Sequence, residues 1–191
     1  MRARLALHAS GCTVELREIA LRDKPAAFLA ASPSRTVPCL HTAAGVIDES
    51  LEIMHWALRR NDPDDWLKMP EAAADWIARN DGPFKHALDR IKYHSRYPPA
   101  DLAPHRDIAH SFLHDLDTAL DPWLFDRPTL GDYALLPFVR QFALIDKAWF
   151  DTQPWPNLQH WLAAFLASPG FTAIMHKTPL WHPPAPPVFF P

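Results

Sequence analysis

Cysteine is scarce: Cys12 and Cys39 are the only two in 191 residues. They lie far apart and form no C-x-x-C pair, which excludes a disulfide framework or a zinc ribbon and makes a reducing, cytoplasmic setting the default. An excess of one charge is also lacking. Lys and Arg number 19 against 22 Asp and Glu, a net charge of -3, so there is no electrostatic footprint for nucleic acid or an anionic membrane. No apolar run approaches the roughly 20 residues a membrane helix needs, and the first ten residues already carry Arg2 and Arg4. No internal repeat is visible. With 48% hydrophobic residues, the chain can instead form one domain, or two small ones, around a buried core.

Proline is what the sequence has in excess. Its 21 prolines are about twice the usual share of about 5%. Six of them fall in the stretch from Thr178 to Pro191, which reads as an extended or polyproline II tail. Such a tail either drapes over the fold with Trp181 as its anchor or serves as an SH3-type ligand.

Residues 2–10 have a helical composition and a stop at Gly11. Residues 14–19 alternate as a strand. Asp23, Lys24 and Pro25 open a short helix through Phe28 and Leu29. Two apolar runs, Thr36 to His41 and Val46 to Asp48, flank a glycine-containing loop and predict an antiparallel hairpin. Pro38 must then sit on an edge or at the strand's start. From Ser50, SLEIMHWALRR carries an apolar face and ends in arginines that suit a helix C-terminus. Beyond residues 61–66, a charged, proline-containing linker, every long segment reads as helix. One helix runs from Glu71 to about His94 with a bend at Asp81-Gly82-Pro83, and another from Asp107 to Leu120. A third opens on the capping-box signal Thr129 to Asp132 and is kinked at Pro137, and a last one contains Trp161 and stops at Ser168-Pro169-Gly170.

Lys24-Pro25, Thr36-Val37-Pro38 and Asp48-Glu49-Ser50 follow one another in the run from Val14 to Leu58. Together with the capping box, the kinked LLPFVRQF helix and the Trp161 helix ending in SPGF, they give a chain that resembles the glutathione transferase superfamily, most closely its omega-like and bacterial members. The resemblance implies an α+β, thioredoxin-like N-terminal domain, incomplete because its first β-strand is absent, followed by an all-α C-terminal domain. The expected boundaries are 1–60 for the first domain, 61–66 for the linker, 67–177 for the helical domain and 178–191 for the tail. It also implies a glutathione site. Ser50 and the first-turn amides would hold the γ-glutamyl carboxylate, with Glu49 assisting the ammonium. The backbone of Val37, before a cis Pro38, would pair with the cysteinyl peptide, and Lys24 would meet the glycyl carboxylate.

In the family the catalytic Cys, Ser or Tyr lies where the first strand meets the first helix. Aligning RARLAL with that helix puts an omega-like Cys-Pro motif about four residues before Met1, where a helix N-terminus would lower the thiol's pKa. No catalytic residue is therefore expected within this chain, and a start about 15 to 25 residues upstream would supply the strand and the nucleophile. Without that strand the sheet loses its middle. The expected activity is transfer of glutathione to an unidentified electrophile, or reduction of a disulfide, by a cytoplasmic homodimer; the alternative is a non-catalytic binding or scaffold protein of the same fold. Phe84, Tyr93 and Tyr97 are candidates to line the electrophile pocket. His110 and His114, at i and i+4 among 11 histidines, raise a metal site, but no H-E-x-x-H or acidic partner accompanies them. They read as solvated surface residues, and no metal is expected.

Overall fold

Helix α1 (Arg2–Ser10) turns its small and aliphatic residues inward. Ala3, Leu5, Ala6 and Leu7 are buried, and Ala6 on this helix and Ala57 on α3 (Ser50–Leu58) are fully so. α1 packs along α3, whose Ile53, Met54 and Leu58 complete this core. Gly11 ends α1 in the left-handed region, at φ 66°, a conformation cheap only for glycine. Asn61 Nδ2 then donates to the Ser10 carbonyl at 2.9 Å. These elements come from a computed structural model that describes residues 1–97 and 101–191.

The chain forms two compact units. The first comprises residues 1–67 and 168–191. Besides α1 and α3 it holds β1 (Val14–Glu15), α2 (Ala26–Ala31), β2 (Leu40–Thr42), β3 (Gly45–Ile47), α10 (Pro169–Ile174) and β4 (Phe189–Phe190). Among the described residues the strands form two separate antiparallel pairs, β2 with β3 and β1 with β4. The hairpin register is Leu40↔Ile47, His41↔Val46 and Thr42↔Gly45. Its turn is therefore Ala43-Ala44, and Gly45 belongs to the strand rather than to the loop. The first strand begins at Leu40, not Thr36, because Pro38 has no N–H for a ladder.

The expected strand over 14–19 shortens to two residues, paired as Val14↔Phe190 and Glu15↔Phe189. Leu16 N–H donates to the Val188 carbonyl at 2.7 Å, and Trp181 N–H to the Glu18 carbonyl at 2.8 Å. Arg17 lies over the Trp181 ring at 4.7 Å. Trp181 thus anchors the tail, while residues 182–187 are exposed.

The second unit, residues 68–167, holds α4 (Ala72–Arg79), α5 (Lys85–Lys92), α6 (Ala103–Ala119), α7 (Leu130–Ala143), α8 (Lys147–Asp151) and α9 (Pro156–Leu166). A π-turn over Asn80–Phe84 joins α4 to α5. Pro83 removes a backbone donor there, and the wider turn absorbs it, so the helix is interrupted where the sequence predicts a break. α7 opens on a full capping box. Thr129 N–H donates to Asp132 Oδ2 at 2.9 Å, and Gly131 N–H donates to Thr129 Oγ1 at 3.2 Å. Asp132 is fully buried and also accepts from Leu124 N–H at 2.9 Å and Trp161 Nε1 at 3.1 Å. A side chain at Gly131 would press on Thr129 Oγ1 and on Ala73 of α4, so glycine permits the close approach of these helices.

Two short helices escape the sequence reading. α8 is capped by Asp146, which accepts from Trp149 N–H, and α10 by Ser168, which accepts from Phe171 N–H. Ser168-Pro169 is therefore a helix start as well as a stop. His110 is not a solvated surface residue. Its ring stacks on Trp149 at 4.9 Å and meets Trp155 and Phe142 edge-on, while His114 is exposed.

Candidate functional site

Lys24 precedes Pro25, the residue at the N-cap of α2, and its Nζ donates to the carbonyl of Arg35 at 2.8 Å. Arg35 has φ 58°, an uncommon conformation for a non-glycine residue. This turns the chain between Ser34 and Thr36. The turn is held by a carboxylate from further along the chain. Asp48 Oδ2 accepts from Ser34 N–H at 3.0 Å, and Asp48 Oδ1 accepts from Ser32 Oγ at 3.1 Å. The Ser34 and Thr36 hydroxyls bond each other at 2.7 Å. The bond from Ser34 N–H, ahead of other causes, holds the Asp48 carboxyl below its ordinary value.

These bonds join the three sequence motifs into one surface. Lys24 reaches the loop that leads into Val37-Pro38, and that loop is bonded to the residue just before Glu49-Ser50. The Val37–Pro38 peptide is cis. Val37 is 45% exposed, and among the described residues no backbone group bonds to its N–H or carbonyl.

At the start of α3 the N-cap is Glu49, whose carbonyl accepts from Ile53 N–H at 3.0 Å. No side chain caps this end. Ser50 is the first helical residue, so its hydroxyl is not spent as a cap. The amides of the first turn point out of the helix without intrahelical partners. Glu49 and Glu52 add negative charge beside this positive helix end. That mixture suits a zwitterionic amino-acid group, carboxylate on the amides and ammonium toward the glutamate, better than a bare polyanion.

Cys39 is shifted away from the thiolate form. Burial, and then its hydrogen bond to Asp48, push the Cys39 thiol up from its ordinary value. Cys12 Sγ donates to the Ala57 carbonyl at 3.7 Å.

The three aromatic candidates for an electrophile pocket do not come together. Phe84 is fully buried and stacks on Phe112 with centroids 4.4 Å apart. With Arg79, Pro83 and Ile108 these rings line a cavity of about 380 Å³ in the helical unit. Tyr93 and Tyr97 are not among its lining residues. Each carries a guanidinium instead: Arg96 lies 4.2 Å from the Tyr93 ring centre and Arg90 4.0 Å from that of Tyr97. Asp48 stands in the third motif, but the sequence alone assigns it no role. Its only sequence signal was its place beside Glu49-Ser50, because its partners lie 14 and 16 positions earlier.

Residues 1–60 match the family described as glutathione S-transferase, N-terminal domain, and residues 74–164 match glutathione S-transferase, C-terminal domain. The chain belongs to the glutathione transferase superfamily. Its first unit is accordingly the thioredoxin-like part of that fold and the second its all-α part. Among solved structures it is similar to glutathione transferase F7 from Populus trichocarpa, with a TM-score of 0.73 at 18% identity over 91% of each chain. Glutathione transferase Omega 3C from Trametes versicolor gives a TM-score of 0.72 at 17% identity, over 94% of this chain and 85% of that one. Maleyl pyruvate isomerase, a bacterial zeta-class glutathione S-transferase, gives 0.68 at 22% identity, over 91% of this chain and 90% of that one. Among curated proteins none matches.

Proposed function

We propose that this chain binds glutathione on the surface formed by Lys24, Val37-Pro38 and Glu49-Ser50, as a thiol-transferase-type member of its superfamily acting on an electrophile or a disulfide. The observation that carries this reading is the pair of hydrogen-bonded links, Lys24 to the Arg35 carbonyl and Ser34 to Asp48, that hold the three motifs together. The Ser50 hydroxyl and the first-turn amides of α3 receive the γ-glutamyl carboxylate. Glu49 faces the ammonium. The exposed Val37 backbone pairs with the cysteinyl peptide as a short added strand, and the remaining donors of Lys24 attract the glycyl carboxylate as a point charge.

Calorimetric titration of the chain with glutathione tests the site. Ser50→Ala is expected to weaken binding about tenfold, the loss of one charge-assisted hydrogen bond. Unchanged affinity would overturn the assignment. A second reading, a binding protein of this fold that does not turn over substrate, is supported by Cys39, whose thiol pKa is raised by burial and by its hydrogen bond to Asp48. Glutathione binding without conjugation of chlorodinitrobenzene or reduction of a mixed disulfide would select it.

A further inference from the structure

Of the histidine pair at i and i+4, His110 packs into an aromatic cluster, but the fold builds another pair that no spacing announces. α5 and α6 pack side by side and bring the rings of His86 and His105 to a centroid distance of 5.4 Å at an interplanar angle of 62°. His105 Nδ1 is buried and has no hydrogen-bond partner among the described residues, whereas His86 is exposed. We propose that His86 and His105 together form a two-imidazole site for a divalent transition-metal ion, with water completing its coordination.

The ring separation matches that of two imidazoles on one ion. Two imidazoles bound to one tetrahedral ion at nitrogen distances of about 2.0–2.1 Å have ring centres about 5.2 Å apart, close to the separation between these rings. The orphaned Nδ1 is a second and independent sign, because a buried ring nitrogen without a partner is rare and a metal would satisfy it. Asp89 lies one turn along α5 from His86 but is engaged by Lys85 Nζ at 2.6 Å. Among the described residues no group of three or more His, Cys, Asp or Glu could hold a metal. Two protein ligands leave the other positions of a tetrahedral ion to water, which makes the ion exchangeable rather than a sealed structural one. Two neutral nitrogen ligands select Zn²⁺, Ni²⁺ or Cu²⁺ over Mg²⁺ and Ca²⁺, which require oxygen ligands. Bound between two helices, the ion stabilises the folded helical unit by mass action.

The test uses the full chain, stripped with EDTA and titrated with Zn²⁺ by calorimetry, alongside thermal melts in Zn²⁺, Ni²⁺ and Mg²⁺. One saturable equivalent is expected, weakened at least about tenfold in His86→Ala, a loss that even an outer-sphere partner of a ligand can cause. His105→Ala should weaken it as much, and His114→Ala should not. Zn²⁺ and Ni²⁺, but not Mg²⁺, should raise the melting temperature of the wild-type chain. His86 is exposed, so its alanine variant tests the site without disturbing the core. Equal Zn²⁺ affinity in His86→Ala and the wild type would overturn the proposal, since the ion would then sit elsewhere, on the cysteines or other histidines. Absence of saturable Zn²⁺ binding would overturn it as well.

Discussion

Asp48 does more for the candidate site than its place in the third motif announces, although it touches none of the groups assigned to glutathione. Its carboxylate fixes Ser32 and Ser34, and through them the chain that leads to Val37. Asp48→Ala is therefore expected to weaken glutathione binding several-fold and to speed amide exchange at Ser34, with Ser50 intact. The same bond has a pH signature. Because the folded-state pKa of Asp48 lies below its ordinary value, the stabilisation is complete above the unfolded value and is lost as pH falls through the folded one. Ser34 protection should fall below about pH 4, and Asp48→Asn should flatten that dependence. His110 behaves with the same sign. Burial beside Trp149 lowers its pKa, so the unfolded chain takes up the proton first and the helical unit loses stability as pH falls below the ordinary histidine range. Denaturant midpoints measured between pH 7 and pH 5 should drop less in His110→Gln. At this scale the single motif residues were legible because each sits in a short local pattern. The role of Asp48 was not, because its partners come from another segment.

Among the elements, α7 depends most on a signal that can be read from the sequence. Thr129→Ala removes the cap hydroxyl and is expected to cost about 1–2 kcal/mol. Asp132→Ala leaves the donors of Leu124, Thr129 and Trp161 unsatisfied inside the protein, and about 3 kcal/mol or more is expected from urea unfolding. Burial raises the Asp132 pKa, ahead of the bonds that lower it. Its linkage is thus opposite to that of Asp48: the folded state holds this proton more tightly, so stability from this group falls as pH rises through the folded value. The interruption at Pro83 and the helix over residues 156–166 were also legible, one from a missing donor and the other from an apolar period. α8 and α10 have five and six residues, less than two turns, and show no period to read. Their caps, Asp146 and Ser168, were the only available signal.

At the scale of the molecule, the tail is the part whose role changes most. Its prolines announce an extended segment, yet Val188 to Phe190 close the edge of β1 by main-chain hydrogen bonds, which carry no side-chain code. Removing residues 178–191 is expected to expose the Leu16 amide to rapid exchange and lower the melting temperature of the first unit. A protected Leu16 in that variant would mean the tail is not its partner. Family and fold class were determined by the sequence itself, and the three candidate motifs were visible in it, because they rest on local order: caps, prolines, apolar periods and short motifs at fixed spacing. Tertiary structure alone decided which strand pairs with the tail, that Asp48 organises the loop before Val37, that His110 joins an aromatic cluster and that His86 meets His105. Each of these is a contact between segments distant along the chain, set by how helices and strands pack, and no local pattern encodes it.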